Sequence, residues 1–368
     1  MSLRSLCIAL LLCIHFFLFY KANLHLYLLG SVPLWDFDVY YQTAQDVLAG
    51  ANPYQLAYMQ TAGPPLVIVP FFIFTLVDLA TARIVFTLMS VGSVALTAWL
   101  LAKNIFTRDP FIYALCLNAL LLILFQTRFN FLLGQPNLLL MAAITYLLTT
   151  QKTKLFALLV SLLIIFKTHY VLLLLALLKK PLRNLTFVSL ILLATMLLTL
   201  PLVGSHNYTY YLQNRLEKHI GEPLLIQDVG YYNQSLRATL ARLGIAEVYL
   251  GATLVFFLVG GFYTYSHKDW SLGILLSLLI SPVVWQHYMV LTYPIVYITL
   301  LAYARKKNLP WHSICASMLL FSHLPWLHEK SVTFTSGMLA SHYFFGVVLL
   351  FYSRVRLHQK FVTVPEKF

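Results

Sequence analysis

Residues Arg83–Ala102 read RIVFTLMSVGSVALTAWLLA, an apolar run whose only charge is its first residue. A helix needs about 20 mainly apolar residues to cross the hydrocarbon core of a bilayer, and this stretch reaches that length unaided. Leu6–Tyr20, Leu185–Gly204 and Leu250–Tyr265 are long and nearly uncharged in the same way. The composition agrees: of 368 residues, 60% are hydrophobic and 10% charged, whereas soluble domains carry about 25% charged residues. So few ionisable groups could not cover the surface of a water-soluble protein of this length. The sequence describes an all-α polytopic membrane protein.

The net charge of +13 does not mark a nucleic-acid binder. Its basic residues stand in short clusters at the ends of apolar segments, as the positive-inside bias requires. Sixteen of the 25 Lys+Arg fall on one side of the membrane in this reading. That side is the cytoplasm, with both termini on it, and the expected location is a cell membrane (a bacterial inner or plasma membrane). The tally gives roughly twelve spans, beginning near residues 5, 81, 110, 135, 155, 168, 184, 245, 270, 288, 310 and 333. Arg4 followed by an apolar run resembles a secretory signal, but no small-residue cleavage site follows, so an uncleaved first helix is expected. Cys7, Cys13, Cys116 and Cys315 all lie in apolar segments without CxxC spacing, which argues against a disulfide framework or a zinc site.

Two stretches require a turn if the basic clusters at both their ends are cytoplasmic. Leu155–Leu178 would turn around Lys167–Tyr170, and Ser271–Ala304 near Pro282–His287; the alternative is one long helix in each case. Two outward segments are too long and polar to be simple turns, 29–80 and 205–246. The first contains the apolar piece Pro64–Leu76, expected to lie against the outer surface or re-enter shallowly. No internal repeat and no separate soluble domain is visible, so residues 1–368 form one membrane domain with two functional loops.

The first loop opens Trp35-Asp36-Phe37-Asp38-Val39-Tyr40-Tyr41. A carboxylate just beyond a span can take the proton of a sugar hydroxyl while that hydroxyl attacks an activated sugar. On a helix the i, i+2 spacing sends Asp36 and Asp38 to different sides. The simpler alternative is that one of them caps a helix running on through Leu48, with Gly50 to stop it. Lys167, within Ile164-Ile165-Phe166-Lys167-Thr168-His169-Tyr170, is costly in hydrocarbon and calls for a functional hypothesis. It would pair with a lipid phosphate or else snorkel to the headgroups, and His169 adds a second contact. Tyr231-Tyr232-Asn233-Gln234-Ser235-Leu236-Arg237 collects Asn233, Gln234 and Arg237, which can read sugar hydroxyls or a phosphate; Asn233-Gln234-Ser235 also matches a glycosylation acceptor. Ser281-Pro282-Val283-Val284-Trp285-Gln286-His287 places Trp285 and His287 at an outer turn.

These segments, in this order, resemble glycosyltransferase family 87, the polyprenol-phosphate-mannose-dependent alpha-1,2-mannosyltransferase group of the GT-C superfamily. To those quoted are added Gly50-Ala51-Asn52-Pro53-Tyr54, Pro64-Pro65, Gly134-Gln135-Pro136-Asn137 and Phe166-Lys167-Thr168. The resemblance implies a GT-C fold and an inverting transfer of a sugar, mannose by default, to a lipid or glycan acceptor on the extracytoplasmic face. It implies a polyprenyl-phosphate-sugar donor, with no further cofactor, no nucleotide and no obligatory metal. The catalytic aspartate falls on Asp36, with Asp38 in reserve. Tyr40, Gln135 and Asn137 join Lys167, His169, Asn233, Gln234, Arg237, Trp285 and His287 as expected donor- or acceptor-binding residues. A transporter or flippase of lipid-linked sugars is the competing expectation. Such proteins show two related halves, and the polar residues here concentrate in the outward loops instead.

Overall fold

The computed structural model describes residues 3–21, 23–55, 64–105, 109–150, 153–178, 182–215, 231–324 and 334–361. Helix dominates, and among the described residues the only strand-like pairing is an isolated antiparallel bridge between Asn233 and Trp285. The chain groups into two compact units. One holds Met1–Thr150, Ile165–Lys167 and Leu192–Ile220, the other Gln151–Ile164, Thr168–Ile191 and Gly221–Phe368.

The first unit contains α1 (Leu3–Lys21), α2 (Leu24–Leu28), α3 (Trp35–Leu48) and α4 (Leu79–Ile105). It continues with α5 (Pro110–Ile123), α6 (Phe125–Leu133) and α7 (Asn137–Thr149). Helix α4 packs against α5 and α7, and α1 against α5. Asp78 starts α4 by accepting from Thr81 N–H at 3.0 Å and Thr81 Oγ1 at 2.7 Å, which satisfies donors a helix start leaves open. Pro110 opens α5, where its missing N–H is no loss, and at Leu124 the chain bends by 69° into α6. Helix α3 is amphipathic, burying Phe37, Tyr41, Ala44 and Val47. The Phe37 ring lies 4.6 Å from Phe86 of α4 and 5.2 Å from Phe74. Gly50, at φ +90°, follows its last turn as expected. The apolar piece Pro64–Leu76 winds as tight 3-10 turns, Pro65–Val67 and Val69–Leu76, and packs on α3, with Tyr40 stacked on Phe71 at 4.4 Å.

The chain continues through α8 (Thr153–Phe166), a 3-10 stretch Thr168–Leu173, α9 (Leu174–Leu177), α10 (Leu182–Val203) and α11 (Ser205–Tyr210). Then follow α12 (Leu236–Arg242), α13 (Tyr249–His267), α14 (Trp270–Ile280) and α15 (Tyr293–Arg305). The last helices are α16 (Trp311–Phe321), α17 (Phe334–Ala340) and α18 (His342–Phe361). Within the second unit α13 packs on α14 and α16 on α18. A Cβ at Gly260 would stand 2.6 Å from Leu276 Cδ1, and one at Gly346 2.9 Å from Leu320 Cγ. Small residues let helices close up where lipid supplies no hydrophobic drive between them.

Five described helices are long and apolar enough to cross a membrane: Arg4–Lys21, Leu79–Asn104, Asn184–Val203, Ala246–His267 and Gln286–Arg305. The bent pair α5–α6 makes a sixth if it is one span, and six further apolar helices have only 10–17 residues. Helices begin near the expected starts, but many are shorter than the ~20 residues a simple crossing needs. Among the described residues length alone therefore marks five or six crossings of the expected twelve. The breaks fall where a turn was expected: helix stops at Phe166 before Lys167, and again at Ile280 before Ser281–Trp285. Outward-facing leucines such as Leu198 and Leu250, 76% and 77% exposed, form an apolar surface suited to lipid.

Candidate active site

In the first unit the polar residues of the opening loop converge on the start of α3. Asp36 and Asp38 stand in its first turn, where the helix dipole favours negative charge. The N-cap is Leu34, with no side-chain capping bond, so neither aspartate serves as the cap. They leave the helix in different directions, as their spacing predicts. Asp38 is gripped by Arg83 of α4, from Nε to Oδ1 at 2.8 Å and from a terminal nitrogen to Oδ2 at 2.7 Å. The same guanidinium donates to the Gly30 carbonyl at 3.2 Å. Asp38 thus ties α3 to α4.

Asp36 has different company. Gln135 donates from Nε2 to its Oδ2 at 2.5 Å, and Lys167 acts on it electrostatically, as it does on Tyr40. Burial pushes the Asp36 carboxyl above its ordinary value, while the Gln135 hydrogen bond and the Lys167 ammonium hold it back. A carboxyl so placed is a better proton acceptor than a solvated one. Gly134 delivers Gln135 to this place. At φ +67° its position would put a Cβ 2.6 Å from Phe37 Cβ and 2.8 Å from Leu34 Cβ, so only glycine lets the α6–α7 turn approach α3 this closely. Asn137 does not reach Asp36; it is buried and donates to Asn130 Oδ1 at 2.9 Å, bracing the same turn.

In the second unit the motif around residue 233 is a hydrogen-bonded lock. Asn233 Oδ1 accepts from Ser235 N–H at 3.1 Å and Val284 N–H at 3.3 Å. Gln234 Nε2 donates to the Tyr231 and Ala340 carbonyls at 2.6 and 2.7 Å, and Ser235 caps α12. Asn233 and Gln234 are buried, which closes the glycosylation match and directs their amides to the protein's own backbone. The Arg237 guanidinium lies over the Tyr249 ring at 5.7 Å, and Trp285 is half-buried beside the bridge it forms with Asn233. His287 and His169 are brought together through Tyr288, whose ring lies 4.8 Å from His287 and 6.4 Å from His169. Sequence reading passed over Tyr288 as the link, and over Arg83, which it met only as the first residue of an apolar run. Among the described residues no three His, Cys, Asp or Glu side chains group closely enough to hold a metal ion.

The model of glycosyltransferase family 87 matches residues 62–322, most of the chain. The chain belongs to glycosyltransferase family 87. No curated protein matches it, and no solved structure does. The family match contains Gln135, Lys167 and the Trp285–His287 turn, whereas Asp36 and Asp38 precede it. Asp36 is joined to Gln135 and Lys167 by the geometry of this chain, whereas Asp38 is turned to Arg83. A glycosyltransferase must deprotonate one hydroxyl and stabilise one departing group; Asp36 and Lys167, which interact electrostatically, are groups of the chemical types those two tasks call for.

Proposed function

We propose that this family 87 glycosyltransferase is an inverting enzyme of GT-C type that uses a polyprenyl-phosphate sugar, mannose first among them. The acceptor is a lipid or glycan on the extracytoplasmic face of the cell membrane. The observation that carries the reading is Asp36, partly desolvated and unclaimed by an arginine, beside Gln135 and Lys167. The acceptor oxygen bonds to the anomeric carbon while the bond from that carbon to the phosphate oxygen breaks, and the phosphate leaves with the electron pair. Asp36 takes the hydroxyl proton. Phosphate is already a good leaving group, so the site needs a cation, Lys167, more than a strong acid. Both termini lie in the cytoplasm in this reading, with residues 29–80 and 205–246 outside.

Purified protein in liposomes, given labelled polyprenyl-phosphate-mannose and a lipid extract as acceptor source, tests the proposal. Label should appear in a new glycolipid or glycan. Movement of the donor across the bilayer without transfer would identify a flippase instead. Single cysteines at Gln55 and Gln213, both exposed, should react with an impermeant thiol reagent in intact cells; protection of both until the membrane is opened would reverse the orientation.

A further inference from the structure

Asp36 has two carboxylate oxygens, and the protein treats them differently. Gln135 occupies Oδ2 at 2.5 Å, and among the described residues no hydrogen bond to Oδ1 exists. The orientation of the Gln135 amide follows from chemistry: a carboxylate only accepts, so Nε2 must face it. The other end, Oε1, is buried without a hydrogen-bond partner, and Gln135 is only 6% exposed. The close approach at Gly134, against Leu34 and Phe37, brings Gln135 to the start of α3.

We propose that Gln135 is a positioning residue for the transfer: by fixing Oδ2 of Asp36 it turns Oδ1 toward the incoming hydroxyl. This rests on Asp36 as the base. The fixed rotamer matters because a general base works only within hydrogen-bond reach of the proton it removes, and a shift of about 1 Å can cost about a hundredfold in rate. The hydrogen bond also favours the ionised carboxyl, against the burial that opposes it.

The test uses the whole protein in liposomes. The infrared carboxyl band that titrates with pH and is missing from Asp36→Asn reports Asp36 directly, without any substrate. In Gln135→Met, which keeps length but cannot donate, the midpoint of that band should rise and the acid limb of kcat should rise with it. At neutral pH kcat should fall about ten- to hundredfold, with KM for polyprenyl-phosphate-mannose little changed. Gln135→Glu, nearly the same shape, should raise the midpoint further through like charge, and it gives the answer if the methionine variant fails to insert. A midpoint unmoved in the inserted variants would reduce Gln135 to packing and overturn the proposal. If Asp36→Asn itself transfers sugar normally, the failure lies with the base and not with Gln135.

Discussion

Asp36 and Asp269 are both withdrawn from solvent and both face a cation, yet their surroundings drive them in opposite directions. At Asp36 burial wins: the carboxyl is raised, with one glutamine hydrogen bond and Lys167 as partial compensation. At Asp269, between α13 and α14, burial also opposes ionisation, but Arg354, His358 and Ser271 more than reverse it and hold the carboxyl well below the usual range. Arg354 donates to Oδ2 at 3.1 and 2.6 Å, His358 approaches Oδ2 at 2.7 Å, and Ser271 donates to Oδ1 from N–H at 2.9 Å and from Oγ at 2.6 Å. Every lone-pair direction of Asp269 is engaged, which makes a fastener of α14 to α18. Among the described residues Asp36 keeps one oxygen free of hydrogen bonds, which suits it to accept a proton. The number of partners separates the structural carboxylate from the proposed base more clearly than burial does.

The comparison breaks most visibly in activity. Asp36→Asn keeps the side chain's size and cannot take a proton, so sugar transfer should fall by about 10²–10⁴ in kcat. Its thermal stability should be unchanged or higher, because a carboxyl raised by folding opposes folding when ionised. A variant that transfers at near wild-type rate would remove Asp36 from the chemistry. Asp269→Ala should show the opposite pattern. It leaves the largely shielded Arg354 without its carboxylate, a loss of up to about 3–5 kcal/mol that should appear as a much lower unfolding temperature in detergent. The kcat of its folded fraction should stay close to wild type. The lowered Asp269 contributes stability above the unfolded carboxyl value, and that contribution is lost as pH falls through the folded one. The stability gap between wild type and Asp269→Ala should therefore narrow on acidification, and a gap independent of pH would remove the ion pair as its cause.

Lys167 gives the next effect. If it holds the departing phosphate, Lys167→Met should lose one charge-assisted bond, about 1.5–3 kcal/mol, or about ten- to a hundredfold in donor affinity. Lys167→Arg should lose less. Equal, near-wild-type affinity in both would leave only a lysine reaching for the headgroups.

What the sequence shows and what it hides follow from the range of the interactions. Apolar runs and their terminal charges are local, so the all-helical membrane class and most helix starts could be read directly. The break before Lys167 could be read because basic clusters flank Leu155–Leu178 at both ends and call for a turn between them. The Asp38–Arg83 pair joins residues 45 apart, and Asp269 meets Arg354 and His358 from 85 and 89 residues away; no local pattern announces either. The segment Asn233-Gln234-Ser235 is ambiguous in sequence for a related reason. A polar side chain looks the same in sequence whether its partner is a sugar or a backbone carbonyl, and here Gln234 spends its amide on Tyr231 and Ala340. Gln135 was found only through the family pattern, since nothing in Gly134-Gln135-Pro136-Asn137 states that the turn reaches Asp36.

The smallest effect sharpens the contrast within α3 itself. Asp38 differs from Asp36 by two positions and in its partner, a guanidinium that meets both its oxygens. The pair is mostly shielded, with the Arg83 and Asp38 side chains 16% and 21% exposed, so it should couple more strongly than an exposed pair, which gives about 0.2–1 kcal/mol. A double-mutant cycle of Asp38→Asn and Arg83→Met on thermal stability should give a coupling of about 1–3 kcal/mol. Each single variant should keep transfer within about tenfold of wild type, because α3 is also held by Phe37 against Phe86 and by Tyr41 Oη donating to the Val77 carbonyl at 2.7 Å. Asp36 is held by Gln135 and not by Arg83, so it should show no stability coupling to Arg83. If instead Asp38→Asn abolishes transfer at full stability while Asp36→Asn stays active, the roles are exchanged. Arg83 would then have to release a carboxylate it holds at both oxygens before that carboxylate could take a proton, and transfer should become sensitive to Arg83→Lys, which cannot form the bidentate grip.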